Sequence, residues 1–484
     1  MELTVKEIIE AVGGALLQGS LTQRIRGVST DSRTLTSGEL FIPLKGERFD
    51  GHHFINDTLA RGASAVMVSK DFHPLELPPS TRDIPLIQVE DTLHALGDLA
   101  SFWVRRNRAT IVAITGSNGK TTTREMTATI LEQSYRVLKP EHNWNNLIGV
   151  PLTLLRLESH HQIAVIEMGM NRRGEIKRLS QIAQPHIGLI TNIGPVHLQH
   201  LKTLENVAEA KGELFDSLTA QDYAVLNAND PLIMKLSTRC PARTFTFGIN
   251  AHAQVTAPNL SPSDYSTHCF TLQVEGKSIP LRLTIPGIHT VYNALAAASI
   301  ATICKLPLEE IKAGLERFTA FTGRMVITTI DNNIHIINDT YNANPVSMES
   351  ALRTLAQVKG EGNGIAVLGD MLELGDASLA YHHQLGSLVG ILHLDSLFLM
   401  GISAEAVAQG ARATGVSEKA IYIGSTPEEV AEQLAKKVTR GDWILFKGSR
   451  GMKMEKILEY FLHLLNHDPA PSSPMATFTS RCCL

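Results

Sequence analysis

Thr110-Ile-Val-Ala-Ile-Thr115 runs without a break into Gly116-Ser117-Asn118-Gly119-Lys120-Thr121-Thr122, and the architecture of the chain can be built from this unit. The apolar run reads as a strand buried on both faces. The residues after Thr115 read as a glycine turn opening a helix from Lys120 to about Glu132. Gly116 and Gly119 let the backbone turn tightly enough to aim N–H groups at phosphate oxygens, at the positive end of that helix. Lys120 can neutralise a terminal phosphate, and Thr121 offers a hydroxyl to Mg²⁺. The standard phosphate loop has a further glycine where this chain has Ile114, so the motif is a variant. The bland alternative is a plain glycine turn with a solvated lysine; the flanking strand and helix argue against it.

Downstream of this unit, apolar runs at 163–166, 187–191 and 224–227 alternate with helical stretches, as a mostly parallel sheet covered on both faces requires. Val274-Glu275-Gly276-Lys277 predicts a hairpin. From Val326 the pattern resets: strands at 334–337, 365–368, 396–400, 420–423 and 443–446 alternate with helices, the mark of a doubly wound, Rossmann-like domain. Upstream, Thr4 and Glu7 form a capping box before Ile8, Ile9, Val12 and Leu16, which are spaced for one helix. Short strands at 25–28, 40–44, 65–68 and 86–89 surround a helix at 54–61, and apolar periodicity over 91–106 predicts a connector helix. The expected architecture is α/β in three domains. Residues 1–88 form a small α/β domain, 89–322 a central phosphate-loop domain with a connector over 89–108, and 323–466 a Rossmann-like domain. The proline-rich 467–484 stretch is expected to be a disordered tail.

The chain has 484 residues, enough for about three domains. Its 44 basic and 48 acidic side chains give a net charge of −4, the wrong sign for coating a polyanion, so no nucleic-acid partner is expected. Cys240, Cys269, Cys304, Cys482 and Cys483 are odd in number and lack a C-x-x-C pair, which fits a reducing compartment. The start has no basic and apolar leader pattern. The longest uncharged stretch, 283–304, is interrupted by Pro286, Gly287, His289, Tyr292 and Asn293. A cytoplasmic monomer with no membrane insertion is expected.

Three further residues bear on chemistry. Glu167 ends an apolar strand, where an open parallel sheet points side chains into its ligand crevice, and a carboxylate there can support magnesium. His197 lies just past another strand and can ligate metal through a neutral nitrogen, although a lone loop histidine is more often structural. Lys211, on a predicted helix, reads by itself as a solvated lysine. Its amine becomes a nucleophile towards CO₂ only where burial or neighbouring cations lower its pKa.

With the loop, Glu167, His197 and Lys211 in that order, the chain resembles the Mur ligases, three-domain ATP-dependent cytoplasmic enzymes of peptidoglycan precursor synthesis for the cell wall. The likeness extends through Thr30-Asp-Ser-Arg33, Phe49-Asp-Gly-His52, Asn143-Trp-Asn-Asn146, Tyr341-Asn-Ala-Asn-Pro345, Leu368-Gly-Asp-Met-Leu-Glu-Leu-Gly375 and Lys447-Gly-Ser-Arg-Gly-Met452. These motifs are most similar to those of the member that adds D-alanyl-D-alanine to UDP-N-acetylmuramoyl-tripeptide through an acyl phosphate. The Asp-Asn-Pro-Arg motif of the diaminopimelate-adding relative is absent.

The resemblance implies ATP and two Mg²⁺ ions as cofactors. It places Gly116, Ser117, Asn118, Gly119, Lys120, Thr121 and Thr122 on the phosphates, Thr121, Glu167 and His197 on metal, and a carbamate on Lys211. Asn293 would serve the adenine, Arg324 the nucleotide phosphates and Asp339 the ribose. Ser32, Arg33 and His52 would meet the uridine nucleotide, and Asn145 and Asn146 the sugar or peptide. Asn342, Asn344, Lys447, Ser449 and Arg450 would receive the dipeptide. Phe321-Thr322-Gly323-Arg324 would be a hinge that closes the last domain before chemistry. Rival readings are a folylpolyglutamate synthase-like ligase, which shares the loop but does not require the first domain, and a phosphate-loop ATPase acting as a switch.

Overall fold

Ile111, Val112, Ala113 and Ile114 are completely shielded from solvent, as a strand covered on both faces demands. In the computed structural model, which describes residues 1–46, 49–72, 81–258, 260, 268–320, 323–330 and 333–465, their strand Thr110–Thr115 lies within a nine-stranded sheet. Its spatial order is Lys277–Leu283, His268–Val274, Val255–Ala257, Arg243–Ile249, Tyr223–Asn227, Ile187–Ile190, Thr110–Thr115, Ile163–Glu167 and Val137–Leu138. From Val255–Ala257 to Val137–Leu138 every pairing is parallel. Parallel register sets Glu167 beside Ile114 and Ile190 beside Thr115, so three strand ends open on the same side.

The predicted hairpin closes one edge. Its turn residues Glu275 and Gly276 both have positive φ, 47° and 84°, which suits the right-handed twist of the flanking strands. The outermost strand, Lys277–Leu283, lies against helix Leu308–Arg317, and Glu316 accepts a hydrogen bond from the Arg282 N–H at 3.0 Å.

The last sheet runs Val326–Ile330, Ile334–Asp339, Trp443–Lys447, Gly364–Gly369, Ser396–Met400 and Ile421–Gly424, antiparallel only in its first pair. The chain leaves Ile334–Asp339 by skipping one position to Gly364–Gly369 and fills that gap last with Trp443–Lys447, which makes a switch point between these neighbours. Register pairs Asp339 with Lys447 at the carboxyl ends there.

The first sheet runs Ala15–Gln18, Leu86–Val89, Ala65–Ser69, Leu40–Phe41 and Val28–Ser29. Three expectations fail here for reasons of glycine geometry and length. The opening helix stops at Val12, because Gly13 adopts a left-handed cap at φ 63°, and Leu16 belongs to a strand paired with Leu86–Val89. The expected strand at 25–28 is split at Gly27, φ 101°, into Arg24–Ile25 and Val28–Ser29, which join different sheets. The strand expected at 40–44 is only Leu40–Phe41.

The connector helix Thr92–Arg106 is capped by Asp91 and packs on the opening helix, where Arg106 pairs with Glu7 at 2.7 Å. No helix among the described residues is long and apolar enough to cross a membrane. Cys240, Cys269 and Cys304 are free thiols. Cys482, Cys483 and the expected tail lie outside the described residues.

Candidate active site

The three strand ends of the central sheet and the switch point of the last sheet face a single cavity of about 1360 Å³. This exceeds the volume one small ligand usually needs. The phosphate loop forms one wall. Gly119, at φ 80°, caps helix Lys120–Leu131, and a Cβ there would lie 2.2 Å from Asn293 Oδ1. At Gly116, φ 145°, a Cβ would lie 1.9 Å from Thr191 Oγ1. Both glycines are therefore required by space as well as by torsion.

The loop is held from behind. Asn118 N–H donates to Asn192 Oδ1 at 3.0 Å, Thr191 Oγ1 donates to the Asn118 carbonyl at 2.5 Å, and Ser117 Oγ donates to the Gly194 carbonyl at 3.1 Å. These bonds fix the shape of the loop, with the Ser117 and Asn118 N–H groups both taken by Asn192.

Two amines converge on one carbonyl. Lys120 Nζ donates to the Gly116 oxygen at 2.9 Å and Lys211 Nζ donates to the same oxygen at 3.0 Å. Lys211 is 2% exposed, so the solvated-lysine reading does not hold. Burial, reinforced by the charge on Lys120, holds the Lys211 amine well below its ordinary pKa. Burial likewise lowers Lys120, with Arg324 adding to the effect and Glu167 opposing it.

Glu167 is 1% exposed at its strand end. Burial would raise its carboxyl, but Lys120, Arg124 and Arg324 outweigh that and hold it below the usual carboxylate range, assisted by Asn145. Thr121 Oγ1 donates to Glu167 Oε2 at 2.8 Å, and Asn145 Nδ2 donates to Oε1 at 2.8 Å. Arg324 Nη2 donates to Thr121 Oγ1 at 3.0 Å while its guanidinium stacks 4.1 Å over the Tyr341 ring. Arg324 thus ties the last domain to the loop.

Among the described residues no three His, Cys, Asp or Glu side chains converge as a metal cluster. A sparse set, one anionic carboxylate with the Thr121 hydroxyl beside it and His197 elsewhere on the wall, nevertheless fits magnesium, which keeps waters and substrate phosphate oxygens in its shell. His197 Nδ1 lies 2.5 Å from Glu373 Oε2, and this hydrogen bond holds the Glu373 carboxyl below its ordinary value.

Asn293 sits inside helix Ile288–Ile303, whose N-cap is Gly287, so it is no helix cap; its Oδ1 accepts from Thr123 Oγ1 at 3.3 Å. Asp339 Oδ2 pairs with Lys447 Nζ at 2.5 Å, and Lys447 also donates to the Asn342 carbonyl at 2.9 Å. Asn344 caps helix Pro345–Val358 and pairs amide to amide with Asn118, at 2.6 and 3.2 Å. Thr122, Asn146 and Asn342 also line the cavity.

Six anticipated residues lie outside the lining, Gly116 among them, which meets the site only through its carbonyl on Lys120 and Lys211. Ser32 and Arg33 are on the first domain, with Arg33 paired to Asp31 at 2.6 Å. His52 has both ring nitrogens engaged, by Asp50 Oδ1 at 2.6 Å and by the Ser69 N–H at 3.1 Å. Ser449 is buried and accepts from the Leu372 N–H, while Arg450 pairs with Glu455. Of the anticipated hinge, Phe321 and Thr322 fall outside the described residues; Gly323 has φ 75°.

Sequence reasoning missed Arg124, 3% exposed, which pairs with Glu125 at 2.5 Å and approaches Glu167 at 3.5 Å. It also missed Asn192, Tyr341 and Glu373. Of these only Tyr341 and Glu373 had a signal, as members of the 341–345 and 368–375 motifs.

The chain matches three family descriptions: Mur ligase family, catalytic domain, over residues 24–103; Mur ligase middle domain over 114–301; and Mur ligase, glutamate ligase domain, over 323–450. It is 38% identical over 465 residues to the UDP-N-acetylmuramoyl-tripeptide--D-alanyl-D-alanine ligase of Escherichia coli, covering 95% of this chain and 98% of that one. Among solved structures it resembles MurF from Acinetobacter baumannii, with TM-score 0.87 and 33% identity over 96% of this chain and 99% of that one. It also resembles MurF ligase from Thermotoga maritima in complex with ADP, with TM-score 0.80 and 28% identity over 91% and 98%. With matches of this breadth spanning all three large sheets, the chain belongs to the Mur ligase family.

Proposed function

We propose that the chain adds D-alanyl-D-alanine to UDP-N-acetylmuramoyl-tripeptide at the expense of ATP, forming the pentapeptide, ADP and phosphate in the cytoplasm, as a monomer. The observation that carries this reading is the convergence of Lys120, Thr121, Glu167 and Lys211 at the carboxyl ends of adjoining parallel strands, with Lys120 and Lys211 on one carbonyl. The names of the relatives supply the substrates.

A carboxylate resists attack by an amine because oxide is a poor leaving group. Phosphorylation removes that obstacle: the tripeptide carboxylate attacks the γ-phosphorus and ADP departs, and the dipeptide amine then displaces phosphate from the acyl phosphate. Both steps gather negative charge on oxygen. Lys120, the helix N-terminus after Gly119 and Arg324 would meet that charge as it develops. Magnesium, two ions in this reading, would be held by Thr121, Glu167 and His197 and would supply further charge neutralisation. Burial lowers the Lys211 pKa and so favours the neutral amine that reacts with CO₂; the resulting carbamate would set an anion beside the metal.

Residues 1–88 would hold the uridine nucleotide through Ser32, Arg33 and His52, 89–322 the ATP, with Asn293 on its adenine, and 323–466 the ribose, through Asp339, and the dipeptide. For the dipeptide, Asn342, Asn344, Lys447, Ser449 and Arg450 surround the switch point, with Asn145 and Asn146 facing the acceptor. Phosphate release measured with ATP, acceptor and dipeptide in all combinations tests the reading. Release should require the acceptor and should proceed to peptide only with the dipeptide; equal ADP formation without acceptor would favour a switch-like ATPase. Lys120→Ala should lower peptide joining by about two powers of ten or more.

A further inference from the structure

His197 and Glu373 face each other across the boundary between the central and last domains, and both hold backbone conformations that side-chain-bearing residues rarely adopt. His197 has φ 54° and Glu373 has φ 64°. The Glu373 carbonyl accepts from the Gln199 N–H at 3.0 Å, while its carboxylate meets His197 Nδ1 at 2.5 Å. Nearby Gly375, φ 57°, approaches so closely that a Cβ there would lie 3.2 Å from Gln199 Cα. An exposed pair of flexible side chains contributes little. Here both partners are set by backbone, and the contact is anchored on each side.

From this geometry we propose that Glu373 is a positioning residue for His197, through which the last domain's docking prepares the metal wall of the cavity. The inference rests on the reading of His197 as a metal ligand. A carboxylate accepting at Nδ1 requires the proton there, which leaves Nε2 as the lone-pair nitrogen and fixes the ring's orientation. The carboxylate arrives only with the last domain. Metal retention and domain docking therefore become linked, each strengthening the other by the same factor.

The test uses the full chain with Mn²⁺ as the probe, alone and with ADP, counting free ion by paramagnetic resonance and reading imidazole nitrogen coupling from the echo spectrum. Glu373→Ala should weaken Mn²⁺ binding about 10- to 100-fold and diminish the nitrogen coupling. Glu373→Gln, which keeps an acceptor oxygen, should fall between Glu373→Ala and the native chain, and melting midpoints identify any variant that has simply misfolded. Unchanged Mn²⁺ affinity and coupling in well-folded Glu373→Ala and Glu373→Gln, with loss in His197→Asn, would overturn the proposal and leave the metal role intact. Unchanged binding in His197→Asn would instead remove the metal reading and the proposal with it.

Discussion

Lys211 shows what a single side chain costs and what it makes available. Burial to 2% exposure beside a second amine lowers the pKa of this amine, at the expense of stability. Its folded pKa lies below its ordinary 10.5, so below pH 10.5 the unfolded chain binds more protons and stability rises with pH towards that value. Lys211→Met should therefore stabilise the fold, by on the order of 1 kcal/mol near neutrality. In bicarbonate-free buffer the gain in melting temperature should be larger at pH 6 than at pH 9, while peptide joining is lost. A gain independent of pH would contradict this account. The burial itself was illegible in sequence: a lysine among Glu209, Ala210, Gly212 and Glu213 looks solvated, and only the order of motifs singled it out. Arg124 was illegible for the same reason, since its partners depend on where a helix face meets a distant strand end.

Glu7 belongs to the scale of the element. It closes the capping box with Thr4 and reaches Arg106 on the connector helix, and the Thr4 backbone bond, then Arg106, bring its pKa down to about 2. A depressed carboxylate stabilises the fold above its unfolded value, near 4.5, and loses that contribution as pH falls towards 2. Glu7→Gln keeps an acceptor for the cap and removes the charge, so it should lower the melting midpoint by about 1–3 °C at pH 7. The difference should shrink steadily below pH 4.5. Elements were the most legible level, because apolar strands such as Thr110–Thr115 announce themselves by composition alone. Two of the three failures fell at Gly13 and Gly27, where a single left-handed residue ended or split an element that hydrophobic spacing would have continued.

For the whole molecule, the fold class followed from alternation of strands and helices, but the contacts joining the domains did not. The amide pair between Asn118 and Asn344 connects residues 226 positions apart, beyond the reach of any local pattern. Asn344→Ser should preserve the helix cap yet fail to span to Asn118. X-ray scattering with ADP should then show a larger radius of gyration than the native chain, and an unchanged profile would show that Arg324 and Glu373 suffice to hold the domains.

The rim of the central sheet has its own consequence. Along Lys277–Leu283 successive N–H groups alternate sides, and Arg282 turns outward to Glu316, so position 280 turns outward as well. That position is Pro280, which has no hydrogen to donate. With one outward donor absent and another already claimed, an incoming strand from a neighbouring molecule finds no ladder to extend, which guards a crowded solution of this enzyme against edge-to-edge polymerisation.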